Sequence, residues 1–347
     1  MSVASLRDVA QAAGVSVTTV SRFLNGTLDL PERTRTAVEA AILQFNYQPN
    51  PHARRLSRGR SDTIGLVIPD IATPFFATLV AAVEAEADRR GLGLALHATL
   101  NRGERELSYL QAVRRNQVDG LIFVTNHPDD GTLAAAINAS GRVVVLDEDV
   151  AGTSVPKLFC DNQQGGYLAG RHLAEAGHRQ VLFIGGVDAM LSGARRFDGF
   201  RRAMTETWGA DARIERYQGE YSIAFGRSAA KRMLAARLDV SAIFATSDEI
   251  TTGALEVLNA AGIRVPRDLS LVGFDDVGPL HLFAPAVTAV RQPVRDLGIR
   301  ALSLLLDTDW TDPARLPPEE IMPVTLITRN SVAPVIRSRT ATSNRGK

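Results

Sequence analysis

The feature that most constrains this chain is a pair of short helical patterns joined by a turn near its N-terminus. Residues 6–25 read LRDVAQAAGVSVTTVSRFLN, and apolar side chains in the first pattern recur at the spacing of one helix stripe. Gly14 suits the left-handed residue that ends a helix, and Ser16 suits the N-cap of the next one. The sequence therefore predicts two consecutive helices that meet at a tight turn.

The second helical pattern has two unlike faces. Val20, Phe23 and Leu24 share one face and predict a packed back. The opposite face carries small and polar side chains and one arginine, namely Val17, Thr18, Ser21 and Arg22. Such a helix fits the major groove of B-DNA, which favours a helix-turn-helix over an ordinary helical hairpin.

A third helix and a basic segment follow. Pro31 predicts the start of the third helix, whose apolar stripe ends at Phe45. Residues 52–60 are basic, with Ala53 and Leu56 as their two apolar side chains. Such a segment cannot stabilise itself as an isolated helix, so we expect a linker that orders on a partner.

Charge is distributed unevenly along the 347 residues, although the formal net charge is only +1. Residues 1–60 contain eight Arg and four acidic residues, a balance of about +4. The remaining 31 basic and 34 acidic residues (39 less 8, and 38 less 4) give about −3. This asymmetry predicts nucleic-acid contact at the N-terminus.

Composition excludes several classes of site. Cys160 is the single cysteine, so an intramolecular disulfide and a cysteine-type zinc site are excluded, and a reducing cytoplasm is favoured. The six His show no metal-ligand spacing, and we expect neither a metal nor a cofactor. We also expect no signal peptide and no membrane span.

From residue 63 to about 330, short β-rich runs alternate with helical stretches. These runs are 64–69, 94–99, 120–125, 143–148, 157–161, 181–186, 242–247 and 269–276, with further strand-like runs at 286–292 and 321–329. Nearly continuous apolar strands, each followed by a helix, predict parallel sheets covered on both faces. Roughly ten strands exceed one comfortable sheet, so we predict an α/β core of two lobes.

These patterns define the predicted domains. We expect a helix-turn-helix domain over 1–49, a hinge over 50–60, a two-lobed core over 61–332 and a disordered tail over 333–347. Within the core, we assign about 61–161 plus 293–320 to the N-lobe and about 162–292 plus 321–332 to the C-lobe.

Several motifs together resemble the lactose-repressor (LacI/GalR) family of bacterial transcription regulators. They include DVAQAAGVSVTTVSRFLN (8–25), NYQPN (46–50), ARRL (53–56), PDIATPFF (69–76), LAEAGHRQVLFIGG (173–186), RRFDGF (195–200), ATSDEITTGAL (245–255) and LSLVGFDD (269–276). The resemblance spans roughly residues 5–332. It implies a DNA-binding head and hinge helix on a core like periplasmic sugar-binding proteins, acting as a homodimer on a pseudo-palindromic DNA operator.

The resemblance also implies DNA-contacting residues. Val17, Thr18 and Arg22 match base-reading positions, and the fork of Arg22 can address guanine. Phosphate contacts are implied for Ser16, Ser21, Asn25 and Thr34. Leu56 matches a leucine wedged into the minor groove, with Ala53 one turn before it.

An effector site is implied between the lobes. Its residues are Phe75, Phe76, Asp147, Arg196, Tyr221, Asp275 and Gln292. Aromatic faces can stack on a sugar ring while Asp and Arg bind its hydroxyls. Without the resemblance, Phe75 and Phe76 also fit a core, the two Asp fit turns or caps, and Arg196 fits a surface charge.

Asp248 reads as a helix cap rather than a ligand contact. The function expected from these features is a repressor of a catabolic operon, controlled by a sugar, sugar acid or sugar phosphate, with a nucleobase as the minor option. One alternative is a periplasmic-type solute-binding protein, which would not need residues 1–60. The other is an enzyme, but the sequence carries no GxSxG, P-loop or HExxH motif.

Overall fold

The N-terminal unit is a three-helix domain. The computed structural model describes residues 5–47, 60–115, 117–312, 315–317 and 319–335, and its contacts divide the chain into two units at Asp62. The N-terminal helices are α1 Leu6–Ala12, α2 Val17–Leu24 and α3 Glu32–Gln44.

Local signals fix the ends of these helices as the sequence predicts. Gly14 has a φ of +65°, and the Ser16 hydroxyl accepts a hydrogen bond from the Thr19 amide at 3.0 Å. Val9, Val20 and Val38 are fully buried, one from each helix. The packed back of α2 therefore rests on α1 and α3, which leaves its opposite face outward.

The second unit alternates strands and helices. Its strands are β1 Thr63–Ile68, β2 Gly93–Ala98, β3 Leu121–Phe123, β4 Val143–Leu146, β5 Lys157–Cys160, β6 Gln180–Gly185, β7 Arg213–Gln218, β8 Ala242–Ala245, β9 Ser270–Phe274, β10 Thr288–Arg291, β11 Glu320–Met322 and β12 Thr325–Ile327. Its helices are α4 Pro74–Arg89, α5 Gly103–Arg114, α6 Thr132–Asn138, α7 Asn162–Glu175, α8 Leu191–Trp208, α9 Ile223–Ala235, α10 Asp248–Ala260 and α11 Val294–Asp307.

Two six-stranded sheets form two lobes. The first sheet has the order β11-β5-β4-β3-β1-β2 and is parallel throughout. The second has the order β12-β10-β9-β8-β6-β7, in which only β12 runs antiparallel to its neighbour. The central strands are apolar and fully buried, as expected for sheets covered by helices on both faces.

The structure corrects the predicted strands and two boundaries. Strand β7 was not predicted, and the predicted run 321–329 is two strands in different sheets. The last crossover between lobes therefore lies between Met322 and Thr325, because β11 belongs to the first sheet. The predicted disordered tail also begins too early. Ala333 donates its amide to the Ser270 hydroxyl, and the amide of Val335 bonds the Ala176 carbonyl.

Candidate effector cleft and DNA-reading surface

In the N-terminal unit, the outward face of α2 lines a shallow surface groove. The predicted DNA-facing residues found there are Val17, Thr18, Ser21, Arg22 and Asn25. Val17 is 40% exposed although it is apolar. The Arg22 guanidinium forms no ion pair with any residue that the structure describes, so its hydrogen-bond donors can address an external acceptor.

The remaining predicted DNA contacts flank this groove or fall elsewhere. Ser16 caps the N-terminus of α2 and is exposed. The free amides at this end of a helix favour an anion such as a phosphate. Thr34 lies in the first turn of α3 and is half-buried. Ala53 and Leu56 lie outside the described residues, so the hinge stays a prediction.

In the second unit, one cavity lies between the two sheets, at the carboxyl ends of their parallel strands. All seven predicted effector residues line it, namely Phe75, Phe76, Asp147, Arg196, Tyr221, Asp275 and Gln292. The space measures about 620 Å³ including its open mouth. Elements distant in sequence therefore converge at the topological position where α/β sheets bind ligands.

Arg196 lies on the floor of this cavity and is no surface charge, since only 4% of it is exposed. Its Nε donates to Asn162 Oδ1 at 2.7 Å, and its Nη1 donates to the Thr246 carbonyl at 2.6 Å. The guanidinium also lies 3.7 Å from the ring centre of Phe274. These contacts fix the guanidinium in one position.

Close helix packing places Arg196. A Cβ on Gly166 of α7 would lie 2.0 Å from the Arg196 carbonyl oxygen, and a Cβ on Gly199 of α8 would lie 1.8 Å from the Gln163 carbonyl oxygen. Only glycine permits this approach of the two backbones. The helix that carries Arg196 is therefore held tightly against the helix that carries Asn162.

Asp147 and Asp275 occupy matching positions in the two lobes. Each follows the third strand from one edge of its sheet, β4 or β9, and each has a positive φ, of 73° and 67°. Asp275 Oδ2 lies 3.9 Å from Arg196 Nη1, and Asp275 Oδ1 accepts a short hydrogen bond from the Gln292 amide. The tight turns after the two strands thus direct carboxylates toward the cleft.

Sequence reasoning missed several cavity residues. Glu148 is buried and accepts hydrogen bonds from the Ser192 amide at 3.2 and 3.3 Å. Glu148 follows β4 of the first sheet and Ser192 follows β6 of the second, so these bonds link the two lobes. The Ser192 hydroxyl also lies 3.0 Å from the Tyr221 hydroxyl of its own lobe. Position was the available signal for Glu148, because it directly follows Asp147 at a strand end.

The helix-cap interpretation of Asp248 is wrong. The N-cap of α10 is Ser247, whose hydroxyl accepts from the Ile250 amide at 3.2 Å. Asp248 is the first helical residue and lines the cavity while it is 94% buried (6% exposed). Ser247, one residue earlier, is the N-cap instead, because serine is as well suited as aspartate to that position.

Burial raises the pKa of the cavity carboxyls. It raises the pKa of Asp147 to about 7, with Glu148 adding repulsion, and that of Asp248 to about 9. The pKa of Asp275 rises to about 6, where nearby Arg196 opposes the effect of burial. Burial also raises the pKa of the Tyr221 phenol to about 12. The cleft therefore holds protons at neutral pH.

Three buried acceptor atoms of the cavity have no hydrogen-bond partner among the described residues. They are Asp147 Oδ1, Asp248 Oδ1 and Gln292 Oε1. Buried acceptors are normally satisfied, so these atoms point to donors that a bound molecule supplies. The described part of the chain contains no group of His, Cys, Asp and Glu that could hold a metal ion.

Two family models match the chain. The model of bacterial regulatory proteins, lacI family, matches residues 5–50, and that of a periplasmic binding protein-like domain matches residues 171–332. The HTH-type transcriptional repressor PurR of Erwinia tasmaniensis is 36% identical over 333 residues, 95% of this chain and 97% of that protein. The chain belongs to the LacI family. A PurR of Proteus mirabilis is also 36% identical, over 88% of this chain and 90% of its own.

Solved structures of transcriptional regulators are similar to this chain. The lac repressor dimer bound to operator and the anti-inducer ONPF gives a TM-score of 0.81 at 27% identity, covering 96% of this chain and all of that one (100%). The regulator CelR in complex with cellobiose gives 0.71 at 31% identity, covering 94% and 99%. A regulator from Enterococcus faecalis with bound ribose gives 0.68 at 31%, covering 79% and 100%.

Proposed function

We propose that this LacI-family chain is a sequence-specific transcriptional repressor whose operator affinity is set by a small molecule in the interlobe cleft. One observation carries the proposal: a single chain joins an exposed recognition face on α2 to a polar cleft between the two sheets, at the carboxyl ends of their parallel strands. Its end-to-end similarity to an operator-bound lac repressor supports the same combination. A solute-binding protein has no use for the first unit.

Roles on the DNA side follow from chemistry and position. Val17, Thr18 and Arg22 would read base edges in the major groove, where an arginine fork pairs with guanine. Phosphate contacts, which fix the position of the protein along the duplex, would be made by the amides and hydroxyls of Ser16, Ser21, Asn25 and Thr34. Ala53 and Leu56 would enter the minor groove. The repressor acts as a homodimer, so a twofold-symmetric operator follows.

On the ligand side, Phe75, Phe76 and Tyr221 would pack against the effector, while Asp147, Arg196, Asp275 and Gln292 would bind its polar groups. The cleft residues come from both lobes, so a ligand that binds one lobe arrangement more tightly shifts the population toward it. The effector is a sugar or sugar derivative in this proposal, in line with the cellobiose and ribose bound to similar proteins.

We propose no catalytic activity and a site of action in the cytoplasm. Asp276, adjacent to Asp275, accepts hydrogen bonds from Arg291 and Arg329, so it cannot form an opposed pair of catalytic carboxylates. No described helix is long and apolar enough to cross a membrane.

Selection from a random duplex pool with the full chain tests the proposal. We expect enrichment of one twofold-symmetric sequence, whereas enrichment of no sequence would overturn the assignment.

A further inference from the structure

The cavity between the lobes is strongly acidic. In the described part of the chain, six carboxylates and one guanidinium line it. The carboxylates are Asp70, Asp147, Glu148, Asp248, Glu249 and Asp275, and the guanidinium is that of Arg196. Both lobes contribute, so carboxyl groups lie on both sides of the space that a ligand would fill, and a bound cation would favour their ionised forms.

Arg196 cannot neutralise this cavity. Its Nε and Nη1 are occupied by Asn162 Oδ1 and the Thr246 carbonyl, and its face covers Phe274. The nearest ion-pair distance to a cavity carboxylate is 3.9 Å, to Asp275. Asp147 and Asp248 therefore lack a hydrogen-bonded cation among the described residues.

An independent observation concerns hydrogen bonding. Gln292 is neutral and 3% exposed, yet its Oε1 has no hydrogen-bond partner among the described residues, and neither has Asp248 Oδ1 at 6% exposure. Both residues line the cavity; Gln292 Oε1 can only accept, and Asp248 Oδ1 accepts when the carboxyl is ionised. A ligand group that complements these two atoms therefore donates hydrogen bonds.

A protonated amine meets both requirements, because an ammonium group offers three donors and no acceptor. Phe75, Phe76 and Tyr221 add aromatic faces, which attract a cation. We propose that the effector of this cleft is a cationic amine, such as an amino sugar, rather than a sugar acid or sugar phosphate. This inference rests on the proposed function, in which the cleft holds the effector.

Calorimetry on the full chain at pH 7.5 tests the inference with matched probes. The probes are hexoses and pentoses, each with its amino, carboxylate and phosphate derivatives, together with the diamine putrescine. We expect an amine to bind at least tenfold more tightly than its neutral parent, with an affinity that falls as salt increases. A neutral or anionic compound as the tightest ligand, or no binding by any amine, would overturn the inference.

Charge-removing variants sharpen the test. Asp248→Asn keeps the size of the side chain, and we expect it to lower amine affinity at least tenfold while the neutral parent changes less than twofold. Glu215→Gln removes an exposed carboxylate from the second lobe and serves as the matched control. Equal losses for the amine and its parent would contradict a role for charge. Thermal unfolding of each variant identifies a loss of folding.

Proton release gives a second readout that does not depend on a variant. A cation favours the ionised form of neighbouring carboxyls, so an amine should displace protons that the free cleft holds at pH 7.5. Calorimetry in phosphate and in Tris, whose ionisation enthalpies differ, measures this release. Equal binding heats in the two buffers would contradict the inference.

The proposed function and this inference can fail separately. If a neutral or anionic sugar binds in the cleft and changes operator affinity, the proposed repressor function stands and the inference of a cationic amine is wrong. If an amine binds tightly but does not change operator affinity, the cleft is a cation-binding site and the amine is not an effector.

Discussion

On helix α7, Gly166 lies so close to Arg196 of α8 that a Cβ at position 166 would come within 2.0 Å of the Arg196 carbonyl oxygen. Gly166→Ala must push the two helices apart, and we expect it to destabilise the core by about 1–3 kcal/mol, the usual cost of overpacking. Urea unfolding of the full chain measures this. Gly103→Ala is the control, because a Cβ there meets nothing within 4 Å. Equal stability of the two variants would contradict the backbone contact.

Arg22→Ala tests the DNA-reading face of α2. A bidentate contact to guanine discriminates between bases. We therefore expect the difference in binding free energy between the specific and the scrambled duplex to fall by about 1–3 kcal/mol, which lowers the ratio of the two affinities. Fluorescence anisotropy titration with both duplexes measures the ratio. Arg33→Ala removes an equal charge from an exposed position of α3 and should leave the ratio unchanged. An unchanged ratio for Arg22→Ala would argue against groove contact.

Leu56→Gly tests the hinge, which lies outside the described residues. If Leu56 wedges into the minor groove and bends the duplex, its loss should weaken operator binding far more than binding to scrambled DNA. The same anisotropy titration gives both affinities, and the neighbouring Ser57→Gly variant controls for the added backbone freedom. Equal losses on the two duplexes would mean that no wedge forms.

The pH dependence of stability tests the buried carboxyls. Burial raises the pKa of Asp147 to about 7, so the folded chain keeps a proton that the unfolded chain loses near pH 4. The associated stability is fully present below about pH 4 and is lost as the pH rises through about 7.

Asp147→Asn should therefore reduce the loss of stability between about pH 4 and pH 7, by up to about 1.4 kcal/mol per pH unit. Urea unfolding of the ligand-free chain across this range measures the slope, with Glu215→Gln expected to keep the original slope. A slope unaltered by Asp147→Asn would show that this carboxyl does not hold a proton.

Much of the fold was predictable because it depends on local patterns. Continuous apolar runs identified ten of the strand regions, and Gly14 and Ser16 fixed the turn in the N-terminal unit. Strand β7, RIERYQ, was missed because it lies at a sheet edge and has only two apolar or aromatic residues among charged and polar ones. Strands β11 and β12 were merged because two residues separate them, too few for a visible break.

The cleft was predictable only in part. Family motifs identified seven positions that converge, but they did not identify Glu148, Ser192 or Asp248. These residues face the cavity because separate lobes meet there, and single-sequence patterns carry no signal for that meeting. The unpartnered acceptor atoms of Asp248 and Gln292 likewise emerge only from the packed structure.

The coupling between cleft and DNA head is tested most directly by operator affinity at saturating ligand. The ligand is the probe compound that binds the full chain most tightly, and the duplex is the one enriched by selection. We predict that this ligand changes the operator Kd by about 5-fold or more, the lower end of allosteric coupling, and leaves the scrambled-duplex Kd unchanged. An operator Kd that stays the same with the cleft fully occupied would contradict the account.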